Sequence, residues 1–438
     1  MAGRVHDVIV VGGGFAGVTT ARETALRGAR TLLLEARDRL GGRTCTAPWN
    51  GVDIEYGGGW VHWHQPYTWS EIGKAGLEVE IGAEAEVAGW YVDGERRAGT
   101  IEQRDAIAGR GWDRFVDGVE EALPLPHDPL AQIDRLGRFD ALSIAERMRQ
   151  VEVDREEADV LVAELESLAH GALDEAGAVS VLRWHALSGY SLALTQFTGG
   201  RVTLRAGTGA LLRAIAAGAE FETRLETPVA AVRRLGGRVE VETRDGEVLP
   251  AAAAVVAVPV NALHAIAFEP ALPEPKRRAI AAGQASRGIK IFIRARGPAV
   301  HQNAIRPGHP FGYLATEHLL GGGEQILIGF GPDARACDPR DLAAVQRQMD
   351  QILPGYEVLD ATAHDWLEDE YSRGTWAIHR PGWYTTHHAE MRRPEGPVVF
   401  AGSDIANGWS GFIDGAIESG FRGAALALDG VNTNGRAQ

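Results

Sequence analysis

The residues of this chain whose types and spacing carry chemistry are three glycines, an acid and a lysine. An apolar run, residues 8–11, breaks into Gly12-Gly13-Gly14-Phe15-Ala16-Gly17; a helix-compatible stretch follows, and a second apolar run, residues 31–34, ends on Glu35. In that order a strand delivers a helix N-terminus to an anion. Gly12 makes the turn, Gly14 lets backbone N–H groups approach a pyrophosphate, and Gly17 lets the helix lie close on the sheet, with Phe15 and Ala16 in the first turn beside the phosphates. Glu35 stands about 20 residues on, where a carboxylate accepts hydrogen bonds from a ribose diol, and Ala36 follows it. A glycine-rich turn alone is common; strand, helix and acid together specify a dinucleotide. Lys290 is different in kind. It interrupts the apolar alternation Gly288-Ile289-Lys290-Ile291-Phe292-Ile293, and a lysine on the inward face of a strand is costly unless it has a partner. A lysine facing solvent from an edge strand is the alternative.

These residues need a scaffold, and 438 residues allow two domains with a large core. The net charge of -15 argues against a nucleic-acid partner. Two cysteines, Cys45 and Cys337, give no disulfide framework, and no Cys/His metal spacing or Ser-His-Asp pattern is present. Met1 to Asp7 leads straight into the first strand without a signal peptide, and the apolar run 424–428 is too short to span a bilayer. The sequence therefore reads as cytoplasmic, with no membrane partner.

The chain's end reads as part of the nucleotide domain: residues 397–402 form a short strand running into a glycine, and residues 415–425 a helix of small residues. A hairpin is expected where residues 239–243 and 248–249 flank Arg244-Asp245-Gly246-Glu247. Residues 102–199 carry amphipathic helices, such as 154–170 with Leu161, Leu165 and Leu168 on one face, and a helix is expected at 342–352. His387-His388 reads as a solvated loop.

Further residues refine the cofactor by likeness. Arg37-Asp38-Arg39-Leu40-Gly41-Gly42-Arg43-Thr44 resembles the extension found in flavoproteins of the amine oxidase superfamily. Four more stretches, spread over nearly the whole chain, resemble the flavin monoamine oxidase family: residues 55–62, 288–293, 366–376 and 400–412. The resemblance implies FAD, with Arg37, Gly42 and Arg43 clamping its pyrophosphate and Gly57, Gly58, Gly59 and Trp60 lying against the flavin. It places Val229, Gly402, Asp404, Phe412 and Ile413 on the cofactor too, although a helix N-cap would also use an Asp at 404. Lys290 matches the lysine that reaches flavin N5 through a water. Thr375 stands where covalently flavinylated members have cysteine, which implies non-covalent FAD. Trp376 matches a tyrosine of the aromatic substrate cage, and Phe412 the second one. The stretch around Asn407-Gly408-Trp409 resembles the bacterial nicotine and pseudooxynicotine oxidases, where an asparagine and a tryptophan serve as the cage; that likeness points to Trp376 and Asn407, with Phe412 as a neighbour.

The expected fold is α/β: a Rossmann-like (GR2-type) FAD-binding domain from residues 1–85, 200–275 and 378–438, with a discontinuous α+β substrate-binding domain from 86–199 and 276–377, as in monoamine oxidase. The implied activity is transfer of hydride from the α carbon of a neutral amine to flavin N5. The resulting imine hydrolyses to a carbonyl, and the electrons pass to O2 or a redox protein. A nicotine-like or other secondary or primary amine leads as substrate. Polyamine oxidation, L-amino-acid oxidation and a non-catalytic flavin-binding redox sensor are the alternatives. Whether the chain is a monomer or a homodimer stays open.

Overall fold

The computed structural model describes residues 6–435; Met1 to Val5 and the last residues of the polar tail lie outside it. Apolar strands place the nucleotide motif at the middle of a sheet. His6–Val11 pairs in parallel with Thr31–Leu34 on one side and with Val248–Val256 on the other, so that Val8 stands between Thr31 and Ala253. The sheet runs Ala267–Glu269, Val229–Leu235, Arg238–Thr243, Val248–Val256, His6–Val11, Thr31–Leu34, Glu222–Arg224, and Val398–Phe400 adds to Val248–Val256. Its strands thus come from three separate stretches of the chain. The hairpin at 244–247 forms as expected, joining two antiparallel strands. Ala253 and Ala254 are fully buried in the strand Val248–Val256.

Two helices lie together against this sheet: Phe15–Leu26 and Ile413–Gly435. The second is much longer than the stretch read from sequence. Small residues let them touch. A Cβ on Gly420 would sit 2.6 Å from the carbonyl oxygen of Ala16, and Thr20 Oγ1 lies 3.2 Å from the Gly420 carbonyl oxygen.

The second sheet has the order Glu357–Ala363, Ile289–Arg296, Glu324–Gly331, Tyr313–Gly321, Gln302–Ile305, Val87–Val92, Glu95–Gly99. Ile289–Arg296 is bonded on both sides, to Glu357–Ala363 and Glu324–Gly331. It is therefore no edge strand. One of its faces, with Ile291, Ile293 and Ala295, packs on the helix Leu342–Ile352; the other carries Lys290 and Phe292, with Phe292 packed among Ile54, Tyr56 and Trp60. The helices between residues 101 and 198 cover the open side. Among them, Arg155–Ala169 opens on a capping box, Asp154 with Glu157, and ends on His170 in the left-handed conformation at φ 49°. No described helix is long and apolar enough to cross a membrane.

Candidate active site

One continuous cavity runs from the glycine turn to the helices Arg155–Ala169 and Ala178–Leu187, between the two sheets. At its first end the glycines divide their work. Gly12 adopts φ +102°, and a Cβ there would lie 2.7 Å from the Ala257 carbonyl oxygen; a Cβ on Gly17 would collide with the Gly12 carbonyl. Both glycines answer to protein packing. Gly14 does not: its nearest would-be neighbour is Gly42 Cα at 3.7 Å, and its open side faces the cavity. Gly14 also caps the helix Phe15–Leu26 with no side-chain bond to the first-turn N–H groups, which leaves them for an anion.

Glu35 is 3 % exposed, with Oε2 accepting from the Gly13 amide at 2.6 Å and Oε1 from the Arg37 amide at 2.8 Å. Those bonds fix the carboxylate against the turn while its remaining lone pairs face the cavity. Ala36, Arg37, Gly42, Thr227 and Val229 complete this end. Arg43 lines the middle and is braced from the far side: Nη1 donates to the Thr375 carbonyl at 2.8 Å, and Nη2 to Ser403 Oγ at 3.0 Å and to Asp404. Asp404 itself does not line the cavity. Its other oxygen accepts from the Val260 amide at 2.9 Å, so it reaches a ligand only through Arg43. Gly402 and Ser403 form the wall instead.

Beyond the Gly57-Gly58-Gly59 turn the cavity changes character. Gly57 is required locally, since a Cβ would collide with the Arg43 carbonyl. The Gly57 carbonyl accepts a hydrogen bond from Lys290 Nζ at 3.0 Å, and that Nζ lies 4.9 Å from the Trp60 ring and 5.2 Å from Phe292. Burial pushes the Lys290 ammonium down to about 8, nearby Glu317 and Glu55 resisting, while the aromatic faces also favour the charged form. Trp60, Phe330, Trp376, Trp409 and Phe412 surround this end, with Phe412 and Ile413 opening the helix Ile413–Gly435. Trp376 is held on three sides. Its Nε1 donates to the Leu168 carbonyl at 3.0 Å, its carbonyl accepts from Ser286 Oγ at 2.7 Å, and its ring stacks on His170 at 4.1 Å and 7°. His170 donates from Nε2 to the Ile289 carbonyl at 2.9 Å, so Nδ1 accepts from the Thr375 hydroxyl at 2.9 Å. Burial holds this imidazole down to about 4, hence neutral.

Two readings made from sequence are corrected by placement. Asn407 does not line the cavity; its Oδ1 accepts from His388 Nε2 at 3.0 Å, and its backbone is gripped by Glu418 and Arg183. Phe412 occupies the wall where Asn407 was expected. His388 is no solvated loop residue either, being fully buried on the helix His388–Arg392. Among the cavity residues, sequence reasoning missed Leu168, His170, Trp184, Thr195, Thr198, Phe330 and Tyr371. One signal existed: the amphipathic helix ends on a histidine where glycine is usual.

Fold and site together define a dinucleotide-cofactor oxidoreductase with an aromatic chamber at the reacting end. Comparison with known proteins narrows this. The description "Flavin containing amine oxidoreductase" matches residues 15–428. A pseudooxynicotine dehydrogenase from Pseudomonas sp. is 36% identical, covering 98% of this chain and 88% of that protein. A nicotine dehydrogenase from Pseudomonas putida is 34% identical over 95% and 87%, and (S)-6-hydroxynicotine oxidase from Paenarthrobacter nicotinovorans 29% over 95% and 97%. Putrescine oxidase bound to putrescine superposes with a TM-score of 0.83 at 22% identity, covering 97% of this chain and 99% of that one; at that identity the likeness is one of fold. The chain belongs to the flavin-containing amine oxidoreductase family. Its cofactor is FAD and it oxidises amines. The residues fit that cofactor: bare helix N–H groups and Glu35 suit the adenosine diphosphate, and the turn at Gly57 with Lys290 suits a flavin. No cysteine lines the cavity.

Proposed function

We propose that this protein oxidises a monoamine with an aromatic or otherwise uncharged body, of the nicotine-like heterocyclic class, on non-covalently held FAD. The observation that carries this is the lining of the chamber beyond Lys290. Trp60, Ser167, Leu168, His170, Trp184, Thr195, Thr198, Phe330, Trp376, Trp409 and Phe412 include no carboxylate and no guanidinium, and His170 is neutral. A diamine would need a partner for its distal ammonium, and an amino acid one for its carboxylate. Both of those readings lose ground here. The names of the nicotine-related relatives favour the same class.

Bound FAD supplies the hydride acceptor. The chain's residues do the rest. Trp376 and Phe412 form the two aromatic walls of the cage and hold the amine so that its α carbon faces the flavin. The apolar lining favours the neutral amine and excludes bulk water. Lys290, with its ammonium lowered toward neutrality, would hold a water beside the flavin and give or take a proton through it. Electrons leave to O2 or to a redox protein.

Anaerobic bleaching of the yellow holoprotein by a panel of amines tests this reading. Nicotine-like secondary amines should bleach it fastest, with putrescine and L-amino acids slower by about 100-fold or more, the scale set by burying an unpaired charge. Fastest bleaching by a diamine or an amino acid would overturn the substrate class. Acid precipitation should release free FAD; flavin retained in the pellet would refute the non-covalent assignment.

A further inference from the structure

We propose that Tyr371, Arg244 and Glu370 lock FAD into its groove at the adenosine end, replacing a covalent bond as the means of retention. The inference rests on FAD lying along the cavity described above. Residues 365–376 form a strap that runs the length of that cavity. At the flavin end, Trp366 Nε1 donates to the Tyr56 carbonyl at 3.0 Å, the Thr375 carbonyl accepts from Arg43, and Trp376 joins the chamber. At the other end, Tyr371 lies beneath two guanidinium groups at once, Arg37 at 5.2 Å and Arg244 at 5.4 Å from its ring centre.

Like charges do not gather on one ring unless each is paired. Arg37 is paired with Asp369 at 2.6 Å, and Arg244 with Glu370 at 3.2 Å. Burial alone would raise the Asp369 carboxyl, but bonds from His364 and Arg37 hold it down at about 2. Arg37 follows the ribose-binding Glu35, Arg244 tips the hairpin of the first sheet, and Tyr371 belongs to the strap. Three distant pieces of chain thus meet at the adenosine end, with Arg37, Arg244, Glu370 and Tyr371 all on the cavity wall. A cofactor in the groove would lie against this junction, and its release would require the junction to part. The Arg37–Asp369 pair is largely buried, whereas Arg244 and Glu370 are 39% and 46% exposed in their side chains. The outer pair is therefore the side that opens, and salt weakens it.

FAD release, followed by the rise of free flavin fluorescence after dilution of the holoprotein, tests the lock without reference to turnover. Tyr371→Ala and Arg244→Ala should each speed release by about 10-fold, and the double variant no more than about the larger single effect, since one junction is lost. Tyr371→Phe keeps the ring under both guanidinium groups and loses only the hydroxyl bond to Glu370, so it should speed release by less than Tyr371→Ala does. Raising sodium chloride should hasten release from the parent and leave Arg244→Ala unchanged. Release from Tyr371→Ala and Arg244→Ala at the parent rate, with melting temperatures preserved, would overturn the lock. A protein that carries no FAD at all would instead overturn the cofactor placement beneath it.

Discussion

The two ends of the cavity are built by opposite means. The adenosine end is charged, with Glu35, Arg37, Arg244 and Glu370 around it, and the groups it offers a ligand include the backbone N–H groups of a glycine turn close in sequence to Glu35. The amine end is aromatic around Lys290, which stands beside its cross-strand partner Phe330 in the second sheet and meets Trp60 from outside that sheet. Phosphate is invariant in shape and charge, so one local motif recognises it. An amine substrate varies, so its chamber is assembled from helices and strands that carry no shared motif. Disturbing one end should therefore leave the other's property intact.

Lys290→Met should break the amine end most severely. Single-turnover reduction or reoxidation of the flavin should slow by about 100-fold or more, the range for a lost proton-transferring group, with FAD content unchanged. Rates equal to the parent's would remove the lysine from the reaction. Trp376→Ala should lower kcat/KM by about 30-fold by removing a wall that three contacts hold in place, again without loss of FAD. Stopped-flow bleaching and the absorbance ratio of bound flavin report the two properties separately.

Glu35→Gln is the converse. A carboxylate with both oxygens already engaged by amides becomes a group that must turn an NH2 toward one of them, and FAD affinity should fall by about 10-fold. The ranking of amines in the bleaching panel should stay as it is. A changed ranking would mean that the two ends are coupled, through the strap or otherwise.

The same contrast explains what could be read in advance. The first strand, the glycine turn, its helix and Glu35 are contiguous, and periodicity and spacing reveal them. Lys290 stood out because a charge in an apolar alternation is costly. His170, Trp184 and Phe330 were invisible because each is an ordinary residue until the fold brings it to the chamber. Asn407 shows the limit of likeness. The loop following Gly402 lends Ser403, Trp409 and Phe412 to the cavity wall, but Glu418 and Arg183 grip its backbone and turn Asn407 toward His388. Asp404 likewise stands one remove from the cavity, bonded to Arg43 and the Val260 amide.

The smallest effect comes from the lysine's own cost to the fold. Its ammonium is held at about 8 against 10.5 for a free side chain. Between those values the unfolded chain keeps a proton that the folded one has released, so stability rises with pH across the window from about 8 to 10.5. Below about 8 the folded protein carries the buried charge and its full penalty. A shift of that size corresponds to roughly 3 kcal/mol, but replacing the lysine also forfeits its bond to the Gly57 carbonyl and its contacts with the rings of Trp60 and Phe292, so an apolar substitute keeps a net gain of only about 1 kcal/mol. Lys290→Met removes the charge and keeps an unbranched apolar side chain. Urea unfolding should therefore find the variant more stable than the parent by about 1 kcal/mol at pH 7, with the gap closing and then reversing toward pH 10. A variant less stable at pH 7 would mean that the lysine holds the chamber together rather than straining it, and the division between a scaffold end and a reacting end would then fail at its central residue.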